Sequence, residues 1–90
     1  MIQYKGGDGL SKEKAIIILG AENEFEGVDT EYDYLESKIG EVEVEFQTYI
    51  GEKGKSYDVL DIKLANGIKK EVWFDITDFY GVEKKGAVAP

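Results

Sequence analysis

Carboxylates are the side chains with which this sequence has most scope for chemistry. Of its 19 acidic residues, ten lie between Glu22 and Glu45, and Lys38 is the one basic residue among them. This stretch therefore carries a charge of −9, whereas the whole chain carries −8. Because a local patch of one sign attracts oppositely charged partners more strongly than a diffuse excess does, the sequence predicts a basic protein partner.

Few other side chains of the sequence could act together with these carboxylates in catalysis. The sequence contains neither histidine nor cysteine, which excludes the usual general base, thiolate nucleophiles, disulfides and cysteine-ligated zinc. Two alternatives remain: a pair of carboxylates of the kind that hydrolyses glycosidic bonds, and a serine activated by a lysine. No pair stands out among so many acids, and 90 residues leave little room for a deep pocket. We therefore predict that the chain is not an enzyme and takes no cofactor.

Some of the acids are spaced so that they could hold a metal ion. Asp29 and Asp33 lie four residues apart, and Asp8 lies in the glycine-rich segment 6–9. Their oxygens are of the kind that Ca²⁺ and Mg²⁺ prefer, but the spacing of an EF-hand loop is absent. Segment 6–9 also lacks the lysine and hydroxyl residue of a phosphate-binding loop, and a turn with positive φ explains its glycines. We predict no metal site and keep these aspartates as the alternative.

Length and composition predict one domain over residues 1–81 and a flexible tail over 82–90. No run of about 18 apolar residues is present, and the first residues lack the features of a signal peptide. We therefore expect a cytoplasmic protein that does not enter a membrane. All eleven basic residues are lysines and the isoelectric point is near 4.5, which argues against direct binding to nucleic acid.

A helix is predicted over residues 24–39. Asn23 is a suitable N-cap, Glu26 can complete a capping box, and Gly40 is a typical C-terminal stop. Because Gly27 costs about 1 kcal/mol inside a helix, a start at Asp29 is the alternative. Apolar residues at spacings of three and four form the stripe expected to face a sheet: Phe25, Val28, Tyr32, Leu35 and Ile39. The acidic face expected on the solvent side consists of Glu24, Glu31, Asp33 and Glu36.

Four strands are predicted, over residues 15–19, 41–46, 56–64 and 69–76, and a further strand over 2–5 is an alternative. The order β-α-β-β-β predicts an α+β fold in which one amphipathic helix packs on a mainly antiparallel four-stranded sheet, followed by a short C-terminal turn at 77–81. Alternation over 41–46 predicts that one face of this strand meets the helix through Val42, Val44 and Phe46. The opposite face would carry three acids: Glu41, Glu43 and Glu45.

The hairpin between the last two strands has a predictable register. A two-residue turn at Asn66 and Gly67 would put the apolar residues of the two strands on opposite faces, whereas a three-residue loop pairs Leu60 with Val72 and keeps them together. We predict the three-residue loop, with Gly67 left-handed. The face away from the helix then carries the predicted partner-binding residues: Glu41, Glu43, Glu45, Tyr57, Val59 and Trp73. The aromatic cluster there is exposed unless the termini or the long hairpin cover it.

The leading hypothesis is a noncatalytic inhibitor that neutralises a basic protein, as immunity proteins and phage-encoded inhibitors of host defence do. Glu41, Glu43 and Glu45 would stand about 6.6 to 7 Å apart along a strand, a spacing comparable to that of DNA phosphates, so phosphate mimicry is one form of this hypothesis. An alternative is an oligomeric sponge or sensor that holds a small molecule or nucleotide on the aromatic face. A homodimer formed through that face is another, and an acidic surface that serves solubility alone is the simplest.

Several blocks of the sequence resemble a group of short uncharacterised bacterial proteins. The blocks are residues 6–9 with Ser11, 15–16, 20–21, 23–27 and 74–79, and the resemblance extends over residues 4–81. No activity or site carries over from that group. The resemblance implies that the glycine loop, the start of the helix and segment 74–79 form one structural unit, and it implies a bacterial or phage setting.

Overall fold

One helix and five strands make up the part of the chain that the structure, a computed structural model, describes, which is residues 1–80. In chain order they are β1 (Gln3–Gly6), β2 (Ile16–Leu19), α1 (Glu24–Lys38), β3 (Val42–Glu52), β4 (Lys55–Leu64) and β5 (Lys69–Asp75). The predicted domain end at residue 81 and the predicted flexible tail over 82–90 lie outside the described residues.

The strands form one mixed sheet in the order β1-β2-β5-β4-β3. Helix α1 returns the chain to the end of the sheet at which β2 begins. The hairpins β3–β4 and β4–β5 follow, so β5 runs parallel to β2 and Ile16 pairs with Phe74. The other pairs are antiparallel. The predicted α+β class with one helix is confirmed. The predicted mainly antiparallel character holds for three of the four strand pairs, but β2 pairs in parallel with β5. The predicted number of four strands is wrong, because the alternative strand near residues 2–5 is present as Gln3–Gly6.

The β4–β5 hairpin confirms the predicted register. Leu60 pairs with Val72, and the Leu64 amide donates to the Ile68 carbonyl oxygen at 2.8 Å. Gly67 has a φ of +89°, the left-handed conformation that closes a three-residue loop. Alternate apolar residues of the two strands consequently share the side of the sheet that faces the helix.

A β-bulge in β3 overturns part of the predicted face assignment. Val44 pairs with Ile62 on the helix-facing side, but the register then shifts and Phe46 pairs with Asp61 on the opposite side. A bulge sets two residues of one strand against one residue of its neighbour, so the alternation breaks at Glu45. The prediction that Phe46 faces the helix is therefore wrong, and its side chain is 69% exposed.

The core lies between α1 and the sheet. A turn at residues 77–80, within the predicted C-terminal turn, contributes Phe79, whose amide donates to the Ile76 carbonyl oxygen at 3.1 Å. Each large apolar side chain buried here stabilises the fold by roughly 1.5 to 3 kcal/mol. The core cluster consists of Ile16, Ile18, Ala21, Leu35, Leu60, Ile62, Val72, Phe74, Ile76 and Phe79.

Helix α1 begins at Glu24 as the sequence predicts and ends at Lys38, one residue before the predicted end. The Asn23 side chain accepts a hydrogen bond from the Glu26 amide at 2.9 Å, and the Glu26 carboxylate accepts one from the Glu22 amide at 2.7 Å. Gly40 has a φ of +104°, and its amide donates to the Leu35 carbonyl oxygen at 3.0 Å. The capped start is confirmed and the alternative later start is wrong.

The face that α1 turns toward the sheet differs from the predicted apolar stripe. The buried residues of the helix are Gly27, Thr30, Glu31 and Leu35. Of the predicted stripe, only Leu35 is fully buried, and Val28 is half-buried. The other three members, Phe25, Tyr32 and Ile39, are 87%, 44% and 41% exposed.

Contacts with two other segments account for this orientation of the helix. A Cβ at Gly27 would lie 2.1 Å from the ring of Phe79, so the missing side chain is what allows that ring to pack against the helix. On the β1 side, the Tyr4 hydroxyl donates to the Thr30 carbonyl oxygen at 3.0 Å. Glu31 lies one turn after Gly27 on the same side and is carried into the interior. The prediction that Glu31 belongs to the solvent-facing acidic face is therefore wrong.

Candidate functional site

The predicted aromatic face on the far side of the sheet is largely covered. Tyr57 and Val59 are buried and Trp73 is half-buried, so these three residues do not form an exposed cluster. Within the described residues, the β1–β2 connection lies over this side, where Lys12 Nζ is 2.5 Å from Glu52 Oε1. That hydrogen bond raises the pKa of Lys12. A shallow cleft of about 500 Å³ remains beside Trp73.

The three acids at the start of β3 do not form the predicted row. Glu41 and Glu43 are exposed, and Glu43 lies opposite Lys63. Glu45 sits at the bulge, is half-buried, and has its Oε1 3.4 Å from Lys69 Nζ. The even spacing on which phosphate mimicry depended is therefore broken, and two of the three acids have lysines beside them.

A groove lies between the second half of α1 and the start of β3. Its volume is about 550 Å³. Leu35, Val42 and Val44 line it with apolar surface. The complete lining is Tyr32, Leu35, Glu36, Gly40, Glu41, Val42 and Val44.

This groove brings together acids that the sequence places in different elements. Glu36 from the predicted acidic helix face and Glu41 from the predicted strand row both line it, and both are exposed. Glu24 and Asp33 are also exposed on α1, whereas Glu31 is buried. The groove is therefore the place where the acidic helix and the acidic strand adjoin.

Apolar side chains extend the groove along the outside of α1. Phe25, Tyr32 and Ile39 follow one another at intervals of seven residues, which puts them on the same side of the helix. Sequence reasoning assigned all three to the core and so missed them as surface residues. Exposed aromatic and aliphatic side chains among charges are typical of protein interfaces.

A second acidic feature lies inside the protein, between α1 and β4. Glu31 is fully buried, and neither of its carboxyl oxygens accepts a hydrogen bond from a donor among the described residues. Burial, and secondly its hydrogen bonding and charge interaction with nearby Asp58, raise the pKa of Glu31 from 4.5 to about 10. The Asp58 carboxylate in turn accepts a hydrogen bond from the Gln47 amide nitrogen at 3.1 Å. Sequence reasoning missed this pair because neither acid carries a local signal of burial.

The described part of the chain gives little support for a metal site or a membrane-spanning helix. Residues 1–80 contain no group of three or more acidic side chains arranged to hold a metal ion. The Asp8 carboxylate accepts a hydrogen bond from the Leu10 amide at 3.0 Å, which is the turn-forming role expected for its glycine-rich segment. α1, the helix of this region, is too short and too polar to cross a membrane.

No protein-family model, no curated protein and no solved structure matches this chain.

Proposed function

We propose that the chain is a noncatalytic protein that binds a basic, amphipathic segment of another protein in the groove between α1 and β3. The observation that carries the proposal is the combination of an apolar floor at Leu35, Val42 and Val44 with exposed carboxylates at Glu36 and Glu41. Apolar side chains of the partner fill the groove, and lysine or arginine side chains meet the carboxylates at its rim.

Each part of the groove makes a different contribution to binding. Burying one apolar side chain of the partner contributes roughly 1.5 to 3 kcal/mol, which favours a segment with several such side chains. The carboxylates attract the partner from a distance and set its orientation, so they raise the association rate more than the affinity. Tyr32 and Ile39 lie beside the groove and offer further apolar surface.

The proposed consequence for the partner is inhibition. A basic segment held in this groove is unavailable for its own acidic ligand, such as nucleic acid, which is how an immunity protein or a phage-encoded inhibitor of host defence acts. The resemblance to short bacterial proteins supports a bacterial or phage setting. Phosphate mimicry by Glu41, Glu43 and Glu45 has less support than the groove, because Glu45 is paired with Lys69.

Charge reversal at the groove tests the proposal. We compare the wild-type chain with Glu36→Lys/Glu41→Lys and with a control of equal charge change, Glu13→Lys/Glu43→Lys, whose exposed sites lie outside the groove. Each is immobilised and exposed to the same bacterial lysate at about 0.05 M and about 0.5 M salt. A basic protein retained by the wild type and the control, but lost from the groove variant and at high salt, is the expected result.

The contact is then located directly. The basic segment of a retained protein, made as a synthetic peptide, is titrated against isotope-labelled chain, and we expect NMR shift changes at Tyr32, Leu35 and Val44. Retention that is equal for all three chains would place the contact elsewhere. Shift changes confined to Trp73 and its neighbours would also refute the groove.

The alternative of a small-molecule sponge or sensor has one observation in its favour, the cleft beside Trp73. Leu10 and Ile50 give it apolar surface, and Lys12 and Glu71 give it charge. Because Trp73 is the only tryptophan of the sequence, its fluorescence reports on any ligand that enters this cleft. A change in emission on addition of host metabolites, abolished by Ile50→Glu, would favour this alternative. A homodimer through the same face has less support, since Tyr57 and Val59 are buried within the chain.

A further inference from the structure

The Glu31 side chain is the most unusual group in the interior. It is fully buried in the helix–sheet interface, and neither carboxyl oxygen accepts a hydrogen bond from a donor among residues 1–80. Asp75, also buried, differs in this respect, because its Oδ1 accepts hydrogen bonds from both the amide and the hydroxyl of Thr77, at 3.0 and 2.6 Å. A buried ionised carboxylate without partners is costly, and proteins avoid it by neutralising the group.

Few titratable or charged groups share the helix-facing side of the sheet with Glu31. They are Tyr4 on β1, Tyr49 on β3, Asp58 on β4 and Lys70 on β5, while β2 presents only isoleucines on this side. Tyr49 stacks on Tyr80 of the C-terminal turn, with ring centroids 4.5 Å apart. Among all of these, Asp58 is the group whose charge acts on Glu31.

Asp58 differs from Glu31 in accepting a hydrogen bond from a neighbouring side chain. The Gln47 amide donates to its Oδ2 at 3.1 Å, and a hydrogen bond to a carboxylate stabilises the ionised form. Glu31 receives no such bond from the described residues. Two carboxyl groups that face each other in a dry site cannot both ionise without strong repulsion.

We propose that Glu31 and Asp58 share one proton across the α1–β4 interface at neutral pH, and that loss of this proton at alkaline pH loosens α1 from the sheet. The proton resides on a Glu31 oxygen and is donated to the Asp58 carboxylate. When it leaves for solvent, no covalent bond other than this O–H breaks, and two negative charges remain face to face. Helix α1 then has to move outward so that water can reach Glu31.

This proposal does not depend on the groove function, although the groove would respond to it. Tyr32 and Leu35, which line the groove, follow Glu31 on the same helix. An outward movement of α1 would therefore change the width of the groove. Binding of a partner in the groove would in turn favour one protonation state of the pair.

The direct test is an NMR titration of side-chain carboxyl carbons in the intact chain between about pH 4 and about pH 11. We expect the Glu31 carbon to stay protonated through neutrality and to titrate near its raised pKa of about 10. Exposed Glu36 on the same helix serves as the internal reference. A Glu31 midpoint within about one pH unit of that of Glu36 would overturn the proposal.

Two further measurements distinguish a shared proton from burial of Glu31 alone and from a bound cation. Asp58→Asn removes the neighbouring charge, and we expect it to lower the Glu31 midpoint; an unchanged midpoint would show that burial acts alone and the two acids are not a pair. Added Ca²⁺ or Mg²⁺ should leave thermal stability unchanged. If either ion stabilises the wild type but not Glu31→Gln, the pair is a cation site and the proton assignment is wrong.

Loosening of α1 from the sheet is measured separately, by amide hydrogen exchange. Amide hydrogen exchange, corrected for its intrinsic pH dependence, should show protection falling in α1 ahead of β4 and β5 as the pH passes the Glu31 midpoint. Glu31→Gln should abolish this difference, because an amide cannot ionise. Equal loss of protection in all three elements would refute a movement confined to α1.

Discussion

Replacing Glu31 by glutamine, which keeps the size and shape of the buried side chain, should make the protein more stable at neutral pH. The folded-state pKa of Glu31 is raised to about 10 from 4.5. Between these two values the unfolded chain is ionised at Glu31 while the folded chain must bind a proton. The contribution of a group with a raised pKa is fully present below its unfolded value and is lost as the pH rises toward its folded value.

The size of the effect follows from the interval between the unfolded-state pKa of Glu31 and pH 7. Stability falls by about 1.4 kcal/mol per pH unit above the unfolded pKa, so by pH 7 the wild type has lost about 3 kcal/mol through Glu31. Glu31→Gln removes this loss, because glutamine has the shape of the protonated acid and its amide can donate to Asp58. One amide hydrogen stays unsatisfied at a cost of about 1 kcal/mol. We therefore expect a net gain of about 2 kcal/mol at pH 7.

Urea unfolding at about pH 4, 7 and 9 measures this difference, with Asp29→Asn as the control on the exposed side of the same helix. Carboxylates that do not interact with Glu31 contribute equally to wild type and variant, so they cancel in the difference between the two. The gain should be absent or reversed near pH 4 and should grow between pH 7 and pH 9. A difference that does not change with pH would refute the reasoning, because it would show that Glu31 is ionised in the folded state.

Three glycine substitutions test packing and backbone conformation. Gly27→Ala should destabilise the protein by up to about 2 kcal/mol in urea unfolding, because the clash with the Phe79 ring outweighs the gain of about 1 kcal/mol in helix propensity. Phe79→Leu in the Gly27→Ala background should recover part of this loss of stability. If the effects of the two substitutions on stability are instead additive, the methyl group added by Gly27→Ala does not clash with the Phe79 ring. Gly67→Ala should cost about 1 to 2 kcal/mol for its positive φ alone. Gly9→Ala should cost more than Gly67→Ala, since its Cβ would also lie 2.7 Å from Ile16 Cδ1, and equal losses would argue against that close contact.

The β4–β5 hairpin was predictable because two independent local signals agree there. The loop at Asn66 and Gly67 limits the register to two choices, and the alternation of apolar residues selects the one that pairs Leu60 with Val72. The capped start of α1 at Asn23 was predictable for the same reason, since the cap lies within a few residues of the helix that it stabilises. Both features depend on neighbours in the chain.

The orientation of α1 was not predictable from its own residues. The apolar stripe through Phe25, Tyr32 and Ile39 is the better amphipathic pattern, yet the helix buries the side that carries Gly27 and Glu31. The deciding contact comes from Phe79, more than 50 residues away in the sequence, and a glycine in a helix gives no sign of what will pack against it. Long-range packing overrides helix amphipathicity here.

The same long-range dependence explains why the candidate site was only half predictable. The acids Glu36 and Glu41 were recognised as part of a charged stretch, but their meeting in one groove depends on how the helix sits against β3. The bulge at Glu45 likewise has no clear signature in an alternating sequence, and it removed Glu45 and Phe46 from the faces predicted for them.

Glu31 is buried and Tyr32 is exposed, which is the reverse of the predicted arrangement, and this reversal bears on the proposed function. Burial energetics alone favour the opposite arrangement. Burying an aromatic ring stabilises a fold, whereas burying a carboxyl group that accepts no hydrogen bond does not. The observed helix instead keeps the acid inside and leaves Tyr32 44% exposed at the edge of the groove. Residues that break a local rule while the surrounding structure holds them in place tend to mark functional sites. Here the contacts of Gly27 with Phe79 and of Thr30 with Tyr4 hold the helix in this orientation. An apolar, acidic-rimmed surface is thus left exposed beside α1, which supports the proposal that a partner covers it.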